Sequence, residues 1–138
     1  SGKNFISVNH NGEKTKLFKD KIYAYRRNNG QVIRTWNRTP YTLSEQGIIW
    51  IYFRDVNVSQ GKGIRMERMY FYSMAGNSEI LPLTISSLKH SFPAKYLFHN
   101  FLDAQFRNDA ELSLYDSFSG KFKVNHLLET TTAATAKN

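Results

Sequence analysis

The stretch from Gly47 to Ser73 constrains the fold more than any other part of the sequence. It reads Gly-Ile-Ile-Trp-Ile-Tyr-Phe-Arg, then Asp-Val-Asn-Val-Ser-Gln-Gly-Lys-Gly, then Ile-Arg-Met-Glu-Arg-Met-Tyr-Phe-Tyr-Ser. Two β-branched and aromatic runs flank a linker rich in Gly, Asn and Ser, which is the pattern of two paired strands. Ile48 to Phe53 is apolar on both faces, which predicts a central strand covered on both sides. In the return strand the charged start (Arg65, Glu67, Arg68) is expected outside and the aromatic end, Tyr70 to Tyr72, inside.

Upstream, Asn4 to Val8 and Thr15 to Phe18 read as short strands joined at Asn11-Gly12, a strong hairpin signal. Lys14, Lys16 and Lys19 on the wet side of the second would protect an edge. Lys21 to Arg27 and Gln31 to Trp36 form a second hairpin across Asn28-Asn29-Gly30. Pro40 is expected to break the pattern after it, because proline removes a donor and restricts Thr39. Tyr41 to Glu45 then reads as a short edge piece.

The period changes near residue 83. Thr84 is a plausible N-cap for a helix over Ile85 to Phe92, with Ile85 and Leu88 inward. Pro93 suits the first turn of the next helix, where Ala94, Leu97, Phe98, Phe101, Leu102 and Gln105 make an amphipathic stripe. That stripe is expected to cover one face of the Gly47–Ser73 hairpin. Asn108 to Glu111 resembles a capping box and predicts a third helix carrying Leu112, Tyr115 and Phe118 up to Gly120. Lys121 to Leu128 is compatible with a strand or a short helix. Residues 130–138 contain only Thr, Ala, Lys and Asn and read as a disordered tail.

The fold class is therefore α+β: an antiparallel sheet of five to seven strands over residues 3–73, barrel-like if its edges close, followed by two or three packing helices over 84–118. Residues 1–129 read as a single domain. Cysteine is absent, which removes disulfides, zinc–thiolate sites and thiol catalysis. No apolar run approaches the roughly 18 residues of a membrane span. The opening Ser-Gly-Lys-Asn reads as a remnant or a processed start, which leaves room for a removed signal peptide.

The net charge of +8 is uneven. Residues 1–73 hold thirteen Lys/Arg and five Asp/Glu, whereas residues 74–138 hold six of each. A basic half suits an anionic partner, such as a glycan, a lipid headgroup or nucleic acid, as well as another protein or a plain solubilising surface. Basic residues interleaved with aromatics on strands can hold single-stranded nucleic acid, although sheet packing alone favours Tyr and Trp there. The candidate ligand-binding set is Tyr25, Arg26, Arg27, Arg34, Trp36 and Arg54, with Arg26, Arg27 and Arg34 expected close together.

No nucleophile elbow, Walker loop or dinucleotide fingerprint occurs, so no catalytic residue or cofactor is assigned. His90 and His99 are nine apart and interrupted by Pro93, so a shared metal would need a tertiary arrangement that the spacing does not supply. Asp55 and Glu67 could face each other as paired acids. The simpler reading pairs them with Arg54, Arg65 or Arg68.

Gly12-Glu13-Lys14-Thr15, Ile22-Tyr23-Ala24-Tyr25-Arg26, the long strands ending at Met69-Tyr70-Phe71-Tyr72 and the Pro82-Leu83-Thr84 step together carry a resemblance. Over about residues 12–118 the chain resembles uncharacterised exported proteins of Bacteroidetes-type bacteria, which join a small β-rich domain to short helices. An opening Asn-Gly-Asp-Thr-Ile segment usual in that group is missing here. The resemblance implies an exported, periplasmic or surface-associated protein and supplies no catalytic residues. The function expected on this basis is a non-enzymatic exported binding or interaction domain; the alternative is an intracellular nucleic-acid-binding module using the basic β half.

Overall fold

The computed structural model describes residues 5–10, 13–18 and 23–136. Strands β1 (Phe5–His10), β2 (Glu13–Phe18), β3 (Tyr23–Arg26), β4 (Val32–Trp36), β5 (Thr39–Gln46), β6 (Trp50–Gln60) and β7 (Gly63–Ser73) lie in chain order across one sheet, and the two-residue β8 (Leu81–Pro82) adds to β7. Every register that is defined is antiparallel. With the helices after the sheet, this is the α+β class read from the sequence. The Asn11-Gly12 turn and Lys19 lie outside the described residues. The chain divides into two compact units, Ser1–Ser44 with Ile51–Met69, and Glu45–Trp50 with Tyr70–Asn138.

In the first unit the turns set the registers. Arg27 N–H donates to Gln31 O at 2.7 Å and Gly30 N–H to Arg27 O at 2.9 Å, with Gly30 at φ 89°. This is a three-residue loop that ends on a left-handed glycine. Trp36 pairs with Thr39 across Asn37 and Arg38, at φ 49° and 66°. Two successive positive φ values match the right-handed twist of a hairpin, but an arginine adopts that conformation against its Cβ.

Pro40 does not break the pattern. It is the second residue of β5 and faces Thr35. Next to a two-residue turn that position lies between the ladder hydrogen bonds, so its missing N–H costs nothing toward β4. Gly61, at φ 60°, opens the two-residue turn from β6 to β7. Ile51 and Tyr52, adjacent and on opposite faces of β6, are 0% and 1% exposed. Both faces are covered there, and β6 lies between β5 and β7, as expected of a central strand. Ile48, by contrast, lies in a bend ahead of β6 and is exposed.

In the second unit, Thr84 caps helix α1 (Ile85–Ser91) as predicted, its hydroxyl accepting from Ser87 N–H at 3.0 Å. Leu88 is the buried residue of that helix. Helix α2 (Tyr96–Gln105) starts three residues after Pro93 and buries Phe98 and Leu102. Leu97 and Phe101 are exposed, so the buried stripe is narrower than the sequence suggests.

The predicted third helix is replaced by a short 3-10 turn, Asp109–Ser113, and a small hairpin, β9 (Tyr115–Asp116) with β10 (Lys121–Phe122). Asn108 caps the turn by accepting from Glu111 N–H. Asp116 then accepts from Phe118 N–H at 3.1 Å and from the Ser119 hydroxyl at 2.8 Å. These local bonds offer the backbone an alternative to the helix, and Phe118 projects fully into solvent.

Helix α3 (Lys123–Ala136) follows. It includes residues 130–136, which the sequence assigns to a tail. Thr131 is 5% exposed, and its hydroxyl donates back to Leu127 O at 2.7 Å. With that hydroxyl satisfied, its methyl extends the buried face of Val124, Leu127 and Leu128.

Candidate functional site

The six candidate residues lie on the first unit and divide between two faces of the sheet. Cross-strand partners share a face. Ala24 pairs with Arg34 and Arg34 with Tyr41, so the strand alternation places Arg26, Arg34 and Trp36 on one side. Tyr25 pairs with Ile33 and Ile33 with Thr42, on the other side. Arg27 flanks the loop after β3 and is exposed, as is Arg26, whose Nη1 donates to Gly30 O at 3.1 Å. Tyr25, Trp36 and Arg54 are half-buried.

Arg34 is the exception to the expected cationic surface. It is 2% exposed, and its Nη1 donates to the Tyr52 hydroxyl at 2.9 Å. Its guanidinium carbon lies 5.7 Å from the Trp36 ring centroid and 5.7 Å from that of Tyr52. Tyr41 meets Tyr52 edge-on at 6.5 Å. A planar, weakly hydrated guanidinium is well suited to being held among aromatic rings in this way. Arg34 therefore ties β4 to β6 from inside, apart from the exposed Arg26 and Arg27.

The outer part of β6 and β7 has the opposite character. Every residue of Gly63–Met69 is exposed, on both faces of the strand. Ile64 is 73% exposed, Met66 62% and Met69 45%. Arg68 donates from Nε to Asp55 Oδ1 at 2.9 Å and from Nη2 to Oδ2 at 3.2 Å, while its guanidinium lies 3.8 Å over the Phe53 ring. The hydrogen bond from Arg68 holds the Asp55 carboxyl below its ordinary value. Arg65 meets Glu67 at 3.7 Å. Asp55 and Glu67 are thus each engaged with an arginine, the simpler of the two readings of these acids.

In the second unit a shallow groove of about 800 Å³ is lined by Ile85, Ser86, Lys89, His90, Pro93, His99 and Asp109. The tertiary arrangement does bring His90 and His99 to one place. Three of the polar groups in the groove have structural work, however. Asp109 Oδ1 accepts from Ile85 N–H at 2.9 Å, and Lys89 Nζ lies 2.8 Å from both Asp103 oxygens. His99 Nε2 lies 2.7 Å from Phe92 O. Among the described residues no group of three or more His, Asp or Glu is arranged to hold a metal ion.

The same unit holds a buried polar cluster that no local sequence motif marks. Asn125 is 0% exposed. Its Oδ1 accepts from Ile49 N–H at 3.0 Å, and its Nδ2 donates to Ile49 O at 3.0 Å and to Glu45 Oε2 at 2.8 Å. Glu45 also accepts from Phe122 N–H, at the start of α3, where a carboxylate is favoured by the helix dipole. Gly47 is the one signal of this in the sequence: a Cβ there would lie 2.5 Å from Asn125 Nδ2.

Among the described residues no helix is long and apolar enough to cross a membrane. Comparison with protein-family models, with curated proteins and with solved structures gives no match.

Proposed function

We propose that the protein is a non-enzymatic exported binding or interaction domain whose contact surface is the outer part of the β6–β7 hairpin. The supporting observation is the exposure of Ile64, Met66 and Met69 on a strand that meets solvent on both faces. Large apolar side chains on such a strand mark an interaction surface more often than a packing defect. A photo-crosslinker placed at Ile64 in the full chain, expressed in its native cells, is expected to yield a discrete covalent adduct. A clean chain with no adduct counts against the reading. So does hydrolytic turnover of simple ester, phosphate-ester or glycoside substrates that one substitution, such as His99→Ala, abolishes. Export rests on the family resemblance, and fractionation of cells carrying the natural gene tests it.

Nucleic-acid binding is the second reading, supported by Arg26 and Arg27 standing exposed at the β3–β4 loop. It predicts binding to single-stranded DNA or RNA that weakens steeply with added salt. Absent or salt-independent binding ends it.

A further inference from the structure

We infer that the exposed edge of β7 pairs with the same edge of a second copy of this chain, about a two-fold axis at Met66. The inference rests on the reading of this hairpin as a contact surface and goes on to name its partner.

The backbone geometry comes first. β8 pairs with Phe71 and Tyr72 of β7, and among the described residues no strand pairs with the outer side of Gly63–Glu67. Leu83 N–H donates to Tyr70 O at 3.1 Å, so the polar groups of Tyr70 point away from β6. Strand alternation then directs those of Ile64 and Met66 outward as well. The two-residue turn at Gly61 and Lys62 gives the same result independently, because Gly63, beside the turn, must face β6. Outward N–H and C=O groups at alternate residues are a template for another strand.

The side chains then select the occupant. In an antiparallel pair centred on Met66, that residue faces Met66 of the second copy as a hydrogen-bonded pair. Arg65 then faces Glu67 of the second copy, and Glu67 faces Arg65. These sites lie between the ladder hydrogen bonds, where opposed side chains are closest. Within one chain the same two groups are 3.7 Å apart and about half exposed, so they are free to extend across the dyad. A strand reading Arg-Met-Glu is complementary in charge to itself reversed, which is the requirement of an isologous contact. An acidic peptide would satisfy Arg65 and repel Glu67, and a basic one the converse. Two short strands bury less than the ~1,200 Å² of a standard interface, so the dimer is expected to be weak and concentration-dependent.

Sedimentation velocity of the full chain over a range reaching millimolar concentration tests this. The native chain is expected to pass from monomer to dimer. Arg65→Glu and Glu67→Arg are each expected to weaken self-association by about ten-fold or more, because each places like charges opposite each other twice. Mixing these two variants is expected to restore a dimer, since acidic then faces basic at every site. The intrachain pair cannot account for that restoration, because it is broken in both variants. Met66→Pro, which removes an outward N–H that β6 does not use, is expected to abolish the dimer while circular dichroism stays native. A chain that remains monomeric throughout overturns the inference, as does a dimer indifferent to all four preparations. If the chain is monomeric but the Ile64 crosslinker still yields an adduct with a different molecule, the inference fails while the reading of the hairpin as a contact surface stands.

Discussion

Asn125 is predicted to be worth more to stability than any charged residue on the surface. Asn125→Ala removes three hydrogen bonds: from Ile49 N–H, to Ile49 O and to Glu45 Oε2. The losses are not equivalent. Ile49 O still accepts from Gly47 N–H at 3.1 Å, and Glu45 still accepts from Phe122 N–H. The group left without its partner is Ile49 N–H, in a residue that is 0% exposed. An orphaned buried donor costs about 1–3 kcal/mol and each of the other two bonds about 1, giving about 3–5 kcal/mol in all. For a chain of this size that corresponds to a fall in Tm of about 10–17 °C.

Urea unfolding followed by tryptophan fluorescence should show a lower midpoint at unchanged slope. Gly47→Ala provides the internal control. Its Cβ would lie 2.5 Å from Asn125 Nδ2 and 2.7 Å from Cγ, so the amide must leave its place. With Asn125→Ala already present that obstacle is gone, and the second change should cost little. The double variant should therefore be at least ~1 kcal/mol more stable than the sum of the single effects implies. A single-variant loss under ~1 kcal/mol, or additivity within ~0.5 kcal/mol, would refute the reasoning.

Arg38→Gly should stabilise the chain by about 0.5–1 kcal/mol in the same assay, because glycine takes the φ of 66° without a Cβ penalty. Tyr52→Phe should cost about 2 kcal/mol by removing the hydroxyl that accepts from the buried Arg34. Burial pushes the Tyr72 phenol above its ordinary value. Its folded pKa then exceeds the unfolded one, so its contribution is complete below the unfolded value and is lost as pH rises through the folded value. Tyr72→Phe should accordingly shift alkaline unfolding to higher pH. The Ser119 hydroxyl and two backbone N–H groups hold the Asp116 carboxyl low. That contribution is present above the unfolded pKa and lost as pH falls through the folded one, so Asp116→Asn should be destabilising at neutral pH and neutral in strong acid.

The elements legible in the sequence were those whose signal is local. Gly61 at the β6–β7 turn, Gly30 after β3 and Thr84 before α1 each act within a few residues, and each does in the structure what its position suggests. Where the structure departs from the sequence pattern, the cause is a contact that the pattern does not show. Leu112, Tyr115 and Phe118 keep helical spacing, but Asp116 spends its carboxylate on its own turn, and Gly120 at φ 72° closes the hairpin. Thr131 lies in the run that reads as a tail, because nothing in the sequence shows that its hydroxyl returns to Leu127 O. Glu45 and Asn125 meet across eighty positions of chain, a distance over which no sequence period operates.

The proposed contact surface lies apart from the arginine set for a related reason. Sheet-forming sequence normally buries apolar side chains and leaves cations in water. Three residues here reverse that. Arg34 is buried because the Trp36 and Tyr52 rings and the Tyr52 hydroxyl replace part of its hydration, a tertiary arrangement invisible in the run Val-Ile-Arg-Thr-Trp. Ile64 and Met66 are exposed because the hairpin continues to its turn at Gly61 with both faces of β7 in solvent. An arginine enclosed at 2% exposure presents little surface to a ligand in solution. An exposed isoleucine and methionine on an edge strand still carry apolar surface in water, at about 25 cal/mol for every Å² that a partner could cover. That uncovered apolar surface, with Arg65 and Glu67 on either side of Met66, is the physical reason the proposed contact surface is placed on β7.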